Sequence, residues 1–404
     1  MKARYVVSLL VLFAMVLASC TPTAATPAAA AEPEICQTDA CAKIAAGTAI
    51  KIGMGAPMTG DNAQFGIDIS QGAKIAVADA GELEGFKFEL VTEDDGGSPE
   101  GGAAVANKLV SDANVVAVAG HIFSGATDAA IPIYEKAQIP MMSPSATNPA
   151  LTEKGSKVFN RVAFTDEIQA KFAAEYLYNT LGFRKIATMH DGQVYGQGLA
   201  DLVGQNFTTL GGEVVAAEAI TPGETDYNAP LSAVAAKGPE AVYYGGYVQE
   251  AVVLVNQWAQ SGLGGVVFFG CDGTYGLQFI EQTGANGEGS YAVSLNPASD
   301  SAEVQKFNEA YKTQFGSDAG SLSPFTWNAY DSTATLIKAV KDVAVKGGDG
   351  SLYIPRGALV NAVRTLKDYK GLSGTFTCDA TGECNASGPN FVVVQDGQWV
   401  SATE

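Results

Sequence analysis

Two short turns hold the residues best suited to binding chemistry. The run from Val115 to Ala119 is apolar and β-branched, breaks at Gly120, and leads to Ser124-Gly125 at the head of a helical segment ending near Lys136. A second apolar run, Ile139 to Met142, ends in Ser143-Pro144-Ser145-Ala146-Thr147. The order is strand, Gly/Ser turn, helix, strand, Ser/Thr turn. In a parallel sheet both turns fall at the carboxyl edge, where ligands bind. Each offers hydroxyls and free backbone N–H groups, and a helix start favours negative charge, so the pair suits a small anion such as a carboxylate. Either turn alone reads more simply as an N-cap. Two of them within one strand–helix–strand unit point to a site.

The flanking chain supplies a scaffold of the same kind. Ile50 to Ala56 reads as a strand followed by the turn Pro57-Met58-Thr59-Gly60, and Ile69, Ala73, Ala76, Val77 and Ala80 form a helical stripe over Gly66 to Ala80. Phe86 to Thr92 alternates as a strand, and Ser98-Pro99 is an N-cap with proline at the first helical position, opening a helix to about Asp112. Helices are expected at Glu167–Leu181, Gly198–Leu210, Tyr227–Ala236, Glu250–Ser261 and Gly276–Thr283. They alternate with strands at Lys185–Met189, Val214–Ile220, Ala241–Tyr244, Val266–Phe269 and Gly289–Ser294. Such alternation means a doubly wound parallel sheet with helices on both faces. The units are too many for one sheet, so two similar lobes are expected. After Asn296-Pro297 come three helices, Glu303–Phe315, Trp327–Val345 and Arg356–Leu366. A strand-rich tail follows, Gly374–Cys378 and Phe391–Gln395, with an Asp396-Gly397 turn.

The 404 residues carry a formal charge of −19, which becomes −21 once a leader holding Lys2 and Arg4 is removed. Such an acidic surface repels phosphates and argues against a nucleic-acid partner. Hydrophobic residues at 47% and charged residues at 17% fit a well-packed body. Lys2 and Arg4 form a positive n-region and Tyr5 to Leu17 a short apolar stretch, ahead of Leu17-Ala18-Ser19-Cys20. The last four residues resemble a bacterial lipobox, which implies cleavage before Cys20 and lipidation of its thiol. Residues 1–20 are therefore expected as a lipoprotein signal peptide. The Thr/Pro/Ala-rich stretch after it suggests a flexible tether over 21–48. Export, with the body held on the outer face of a membrane at the cell surface or in the periplasm, follows. Cys36/Cys41 and Cys378/Cys384 fit local disulfides in an oxidising compartment. Zinc is their rival, but two-residue ligand spacing is absent and histidine is scarce. Cys271 is left over as a buried free thiol or a cleft residue.

Enzyme readings find little footing. His121 and His190 lack metal spacing, no Gly-x-Ser-x-Gly elbow or phosphate loop appears, and Gly53-Met54-Gly55 lacks the third glycine of a dinucleotide fingerprint. A Ser124/His121/Asp constellation matches no known spacing. No catalysis, cofactor or metal is expected. His121 either contacts a ligand or caps its turn, and Asp94-Asp95 reads as a strand-end cap outside the site.

Several motifs in order carry a resemblance. They are Ile52-Gly53 with Pro57-Met58-Thr59-Gly60; Glu93-Asp94-Asp95; Gly120-His121 through Ser124-Gly125; and Ser143-Pro144-Ser145-Ala146-Thr147-Asn148-Pro149. Then come Asp191 with Tyr195-Gly196-Gln197-Gly198-Leu199-Ala200, Gly245-Gly246-Tyr247, and Tyr330-Asp331. Over roughly Lys51 to Val400 the chain resembles the leucine/isoleucine/valine-binding proteins of bacterial ABC importers, with the type I periplasmic-binding-protein fold. The resemblance implies two lobes joined by a three-crossover hinge, here 49–165 with 298–372, and 166–297 with 373–404. It implies a ligand caught by cleft closure and passed to membrane permease subunits, and a monomer. Mapped residue by residue, Ser124 and Thr147 would hold an α-carboxylate. Ser145 stands where the family turns a backbone carbonyl to the α-ammonium, and Asp272 matches the acid that pairs with it. Tyr195 and Tyr247 match residues that close over the ligand; Phe65 and Phe325 match the aromatic wall. Asp272 has helix capping as its alternative role, and the two tyrosines and two phenylalanines have core packing. The physical logic is independent: a zwitterion needs an anion cradle and, one amino-acid backbone away, a carboxylate.

Three departures bear on ligand identity. Asp272 is one carbon shorter than the glutamate common in leucine-type members, one residue is inserted between Gly262 and Gly270, and Phe65 stands where tyrosine can occur. A small aliphatic or branched-chain amino acid is the expected ligand. The alternatives are an amide, urea or aromatic acid, or a ligand-sensing receptor module of the same fold.

Overall fold

The structure, a computed structural model, describes residues 32–295, 300–384 and 388–402. The leader, Cys20 and residues 21–31 of the tether lie outside the described residues. Two large sheets organise the rest. The first has six strands in the order Glu82–Leu83, Phe86–Asp94, Ile50–Ala56, Val115–Ala119, Met141–Ser143 and Phe159–Arg161. All its pairings are parallel except the edge pairing of Glu82–Leu83 with Phe86–Asp94. The second has seven, with a parallel core of Tyr291–Ser294, Val267–Phe269, Ala241–Gly245, Lys185–His190 and Glu213–Ala219. Asn390–Gln395 and Gln398–Ser401 extend it antiparallel.

Helices cover both faces of a parallel sheet, so its central strands read as unbroken apolar runs. Val115–Ala119 is buried at every residue, as is Ala241–Gly245. Ser98 caps Pro99–Ser111 by accepting from the Gly101 amide at 3.1 Å. Asp396 and Gly397 both take positive φ, 51° and 70°, as a two-residue hairpin of mirror-image type requires.

The chain crosses between the layers three times. It leaves the first sheet after Arg161, returns after Ser294, and leaves again beyond residue 384. The helices Ala302–Phe315, Thr326–Val343 and Arg356–Arg364 belong to the first layer; Thr326–Val343 packs on the helix Ala63–Asp79 and on two first-sheet strands. The expected two-lobed α/β class holds, with antiparallel edges on both parallel sheets.

Two boundaries differ from expectation. Residues 32–48, given to the tether, fold onto the body. Cys41–Ile44 pairs antiparallel with Leu352–Pro355, a buried strand that sequence periodicity did not reveal. The Asp39 carboxylate accepts from the Gly357 and Ala358 amides, both at 2.9 Å, capping Arg356–Arg364 from outside its own sequence. A Cys36–Cys41 disulfide closes this segment. Residues 373–384, given to the second lobe, bond to the first. Ser373 donates from its amide to Asp331, Cys378 from its amide to Leu366, and Cys384 from its amide to Arg161. A Cys378–Cys384 disulfide closes that loop.

Candidate functional site

The carboxyl ends of both sheets converge on one small cavity. From the first layer come Phe65 on Ala63–Asp79, the turn Ile122-Phe123-Ser124 after Val115–Ala119, Ser145 after Met141–Ser143, and Phe325 just before Thr326–Val343. From the second come Tyr195 in the first turn of Val194–Thr209, Tyr247 just before Val248–Asn256, and Asp272-Gly273 after Val267–Phe269. Seven of the eight expected ligand residues thus line one space. Thr147 is the eighth. It is buried behind the lining, its Oγ1 unpartnered among the described residues.

The first-layer side is held by backbone. Ser124 is the first residue of the helix Ser124–Ala137, and its Oγ accepts from the Asn148 amide at 3.3 Å. Ser145 Oγ donates to the Ile122 carbonyl at 2.8 Å, and Ser143 Oγ donates to the His121 carbonyl at 2.6 Å. His121 is fully buried away from the cavity lining. Its Nδ1 lies 2.7 Å from Asp95 and its Nε2 3.0 Å from the Tyr134 hydroxyl. Of its two expected roles, then, it fixes the turn. Both ring nitrogens are engaged, which leaves the Ser124/His121/Asp constellation unassembled. Asp95 accepts from the Gly97 amide as well, so it caps its strand and anchors His121 together.

The second-layer side is ionisable. Asp272 Oδ1 accepts from the Tyr195 hydroxyl at 2.5 Å and from Gln169 Nε2 at 2.6 Å. Burial pushes its carboxyl above the ordinary range, opposed by those two hydrogen bonds. Helix capping does not describe it: only a single short 3₁₀ turn, Asp272–Thr274, starts here, and the side chain turns to Tyr195 and Gln169. Cys271 Sγ donates to the Gly246 carbonyl at 3.2 Å and is not part of the lining, so the buried-thiol reading fits. Aromatic rings close the space: Tyr247 stacks on Phe123 at 4.1 Å and 22°, and meets Phe65 edge-on at 6.5 Å.

Sequence reasoning missed four residues. Phe123, given no role in the sequence, proves to be a wall. Asp166 and Gln169, at the start of Asp166–Glu175, are both fully buried. Burial, and next the Asp272 carboxylate, hold Asp166 well above the ordinary value; the Thr147 hydroxyl and Arg161 oppose this. Among the described residues neither Asp166 oxygen accepts a hydrogen bond within 3.5 Å. The usable signal was their i, i+3 spacing on a helix face otherwise formed by Ala170, Ala173 and Ala174. Arg161, also fully buried, grips Glu383 from Nε at 3.0 and 2.9 Å. Its Nη1 donates to the Ala146 and Asn148 carbonyls at 3.1 and 2.7 Å. It ties the Ser/Thr turn to the third crossover.

Comparison with known proteins gives a consistent pattern. Residues 49–398 match the model of a family described as periplasmic binding protein. The chain is 33% identical over 297 residues to the Leu/Ile/Val-binding protein homolog 1 of Brucella suis, covering 72% of this chain and 78% of that one. It is 40% identical over 217 residues to an amino acid binding protein of Pseudomonas aeruginosa, which is 53% of this chain and 58% of that protein. A crystal structure of a branched-chain amino acid transporter substrate-binding protein from Streptococcus pneumoniae, solved with isoleucine, superposes with a TM-score of 0.77 at 29% identity. That match covers 87% of this chain and 98% of the other.

Proposed function

The chain belongs to the periplasmic binding protein family, and on that premise we propose that it captures a small zwitterionic amino acid, leucine, isoleucine or valine first, by closing its two layers over the cavity. The observation that carries this reading is the opposite polarity of the two sides. One presents the Ser124 hydroxyl and a helix N-terminus; the other presents Asp272, with Asp166 behind it. Helix-terminal amides suit a carboxylate without a buried cation, and the acids suit an ammonium group. Aromatic rings between them receive an apolar side chain. The capture step is binding, not catalysis, and the closed complex is the form that ABC permease subunits would take up.

Calorimetry with leucine, isoleucine, valine, phenylalanine, acetamide, urea and benzoate tests this. Micromolar or tighter binding of a branched-chain amino acid, with none of benzoate, is expected. Benzoate bound in preference would overturn the zwitterion reading, because it brings no ammonium to the acids.

The family places the body outside the cytoplasm. Attachment through a lipidated Cys20 is our extension of the leader's composition. Loss of fatty-acyl labelling in Cys20→Ser is the expected result, and retained labelling would refute it.

A further inference from the structure

We infer that Asn148 is a positioning residue that latches the two layers together over the ligand, without touching the ligand itself. This inference rests on the closure mechanism proposed above. The motifs around Asn148 and Gly198 lie 50 residues apart in the sequence, and the site described so far leaves both unexplained. The structure brings them into contact.

Every polar group of Asn148 is committed, and each leads somewhere different. Its amide donates to Ser124 Oγ, at the head of the carboxylate-facing helix, at 3.3 Å. Its carbonyl accepts from Arg161, the buried cation that holds the third crossover through Glu383. Its Oδ1 accepts from the Ala150 amide at 3.0 Å. Its Nδ2 reaches across to the second layer and donates to the Val194 carbonyl at 2.8 Å. Val194 opens the helix that carries Tyr195, whose hydroxyl binds Asp272. One residue therefore joins the anion cradle, the hinge and the helix bearing the second layer's closing tyrosine.

Gly198 explains the approach. A Cβ at this position would lie 2.8 Å from Asn148 Nδ2, nearer than a side-chain carbon tolerates. The glycine sits inside Val194–Thr209, where alanine is the better helix former, so helix propensity does not account for it. Room for the amide does. At the other rim of the cleft the Leu277 amide donates to the Ser321 carbonyl at 2.9 Å, backbone to backbone. There Gln278 Nε2 also donates to the Asp61 carbonyl in an exposed bond, at a longer 3.4 Å, so the Asn148 rim is the one held by a short bond from a buried side chain.

A hydrogen bond made in the closed form and broken in the open one favours closure with or without ligand and slows ligand escape; it leaves the open form's affinity for the first contact unchanged. Asn148→Asp keeps the acceptor for Ala150 and removes the donor to Val194. Gly198→Ala blocks the same contact from the opposite side while favouring the helix. By stopped-flow and calorimetry with leucine, each variant is expected to raise Kd about tenfold, carried by koff, with the ligand-free melting temperature unchanged or, for Gly198→Ala, raised. Wild-type koff in Asn148→Asp overturns the latch; if that variant melts early, Gly198→Ala decides by the same criterion. Should the wild-type protein bind none of the three branched-chain amino acids, the functional reading fails separately. The latch is then judged by small-angle scattering of the ligand-free proteins: a more expanded Asn148→Asp supports it, and superimposable profiles overturn it.

Discussion

The two sides of the cavity are built on different principles. On the first-layer side each serine hydroxyl is already engaged with backbone: Ser124 with Asn148, Ser145 with Ile122, Ser143 with His121. His121 is sealed behind the turn with Asp95 and Tyr134, away from the cavity lining. On the second-layer side Asp272 is held by two side chains and, among the described residues, the Asp166 carboxylate by no hydrogen bond. Unpaired buried charge is costly, so burial raises both acids above the ordinary carboxylate range. One side is fixed and dipolar; the other is a reservoir of charge that a cationic group would complete. On the proposed function, recognition of a zwitterion would divide into a part that is preorganised and a part that is switched on by the ligand.

That contrast can be broken experimentally. The largest expected effect is at Asp272. Asp272→Ala removes a charged, buried acceptor, and about 1.5–3 kcal/mol of binding free energy should be lost, roughly 10- to 150-fold in Kd. Unchanged affinity by calorimetry would remove Asp272 from the ammonium site. A smaller effect is expected at Ser124, where Ser124→Ala deletes one hydroxyl and leaves the helix amides in place, a loss of about 1 kcal/mol or some fivefold in Kd. The pH dependence then separates the two sides. An ammonium group binds the ionised acids, and those acids hold their protons to higher pH than usual in the free protein. Affinity should therefore fall as pH drops through their raised range, with protons released on binding. Calorimetry in two buffers of different ionisation enthalpy measures that release. It should persist in Ser124→Ala and diminish in Asp272→Ala; equal proton release in both variants would erase the distinction between the sides.

Much of the scaffold was legible in the residues. Ile50–Ala56 and Val115–Ala119 begin and end where their apolar runs do, and the Ser98-Pro99 signal marks its helix start to the residue. Strands paired with distant segments were not. Cys41–Ile44 has no apolar run long enough to announce itself, and becomes a strand because Leu352–Pro355 offers an edge. The site shows the same limit. Residues that the family motifs carry, such as Ser124 and Asp272, could be placed from order and spacing. Asp166, Gln169 and Arg161 act through burial and through partners up to 222 residues away, and neither periodicity nor local motif encodes that. Phe123 was hidden differently, since an aromatic residue before a helix is ordinary until Tyr247 stacks on it from the other layer.

The stitching of residues 36–44 onto the first layer has a mechanical consequence. Cys41–Ile44 is laced to Leu352–Pro355, Asp39 grips the start of Arg356–Arg364, and the Cys36–Cys41 bridge closes the loop that carries Asp39. Any tension arriving from the N-terminal side is therefore borne first by the half of the molecule that carries Ser124 and Ser145. The half that carries Tyr195, Tyr247 and Asp272 makes none of these contacts. In a protein moored at that end, one jaw would be the fixed stator and the other the free rotor, and the drag of the mooring would not enter the work of closing.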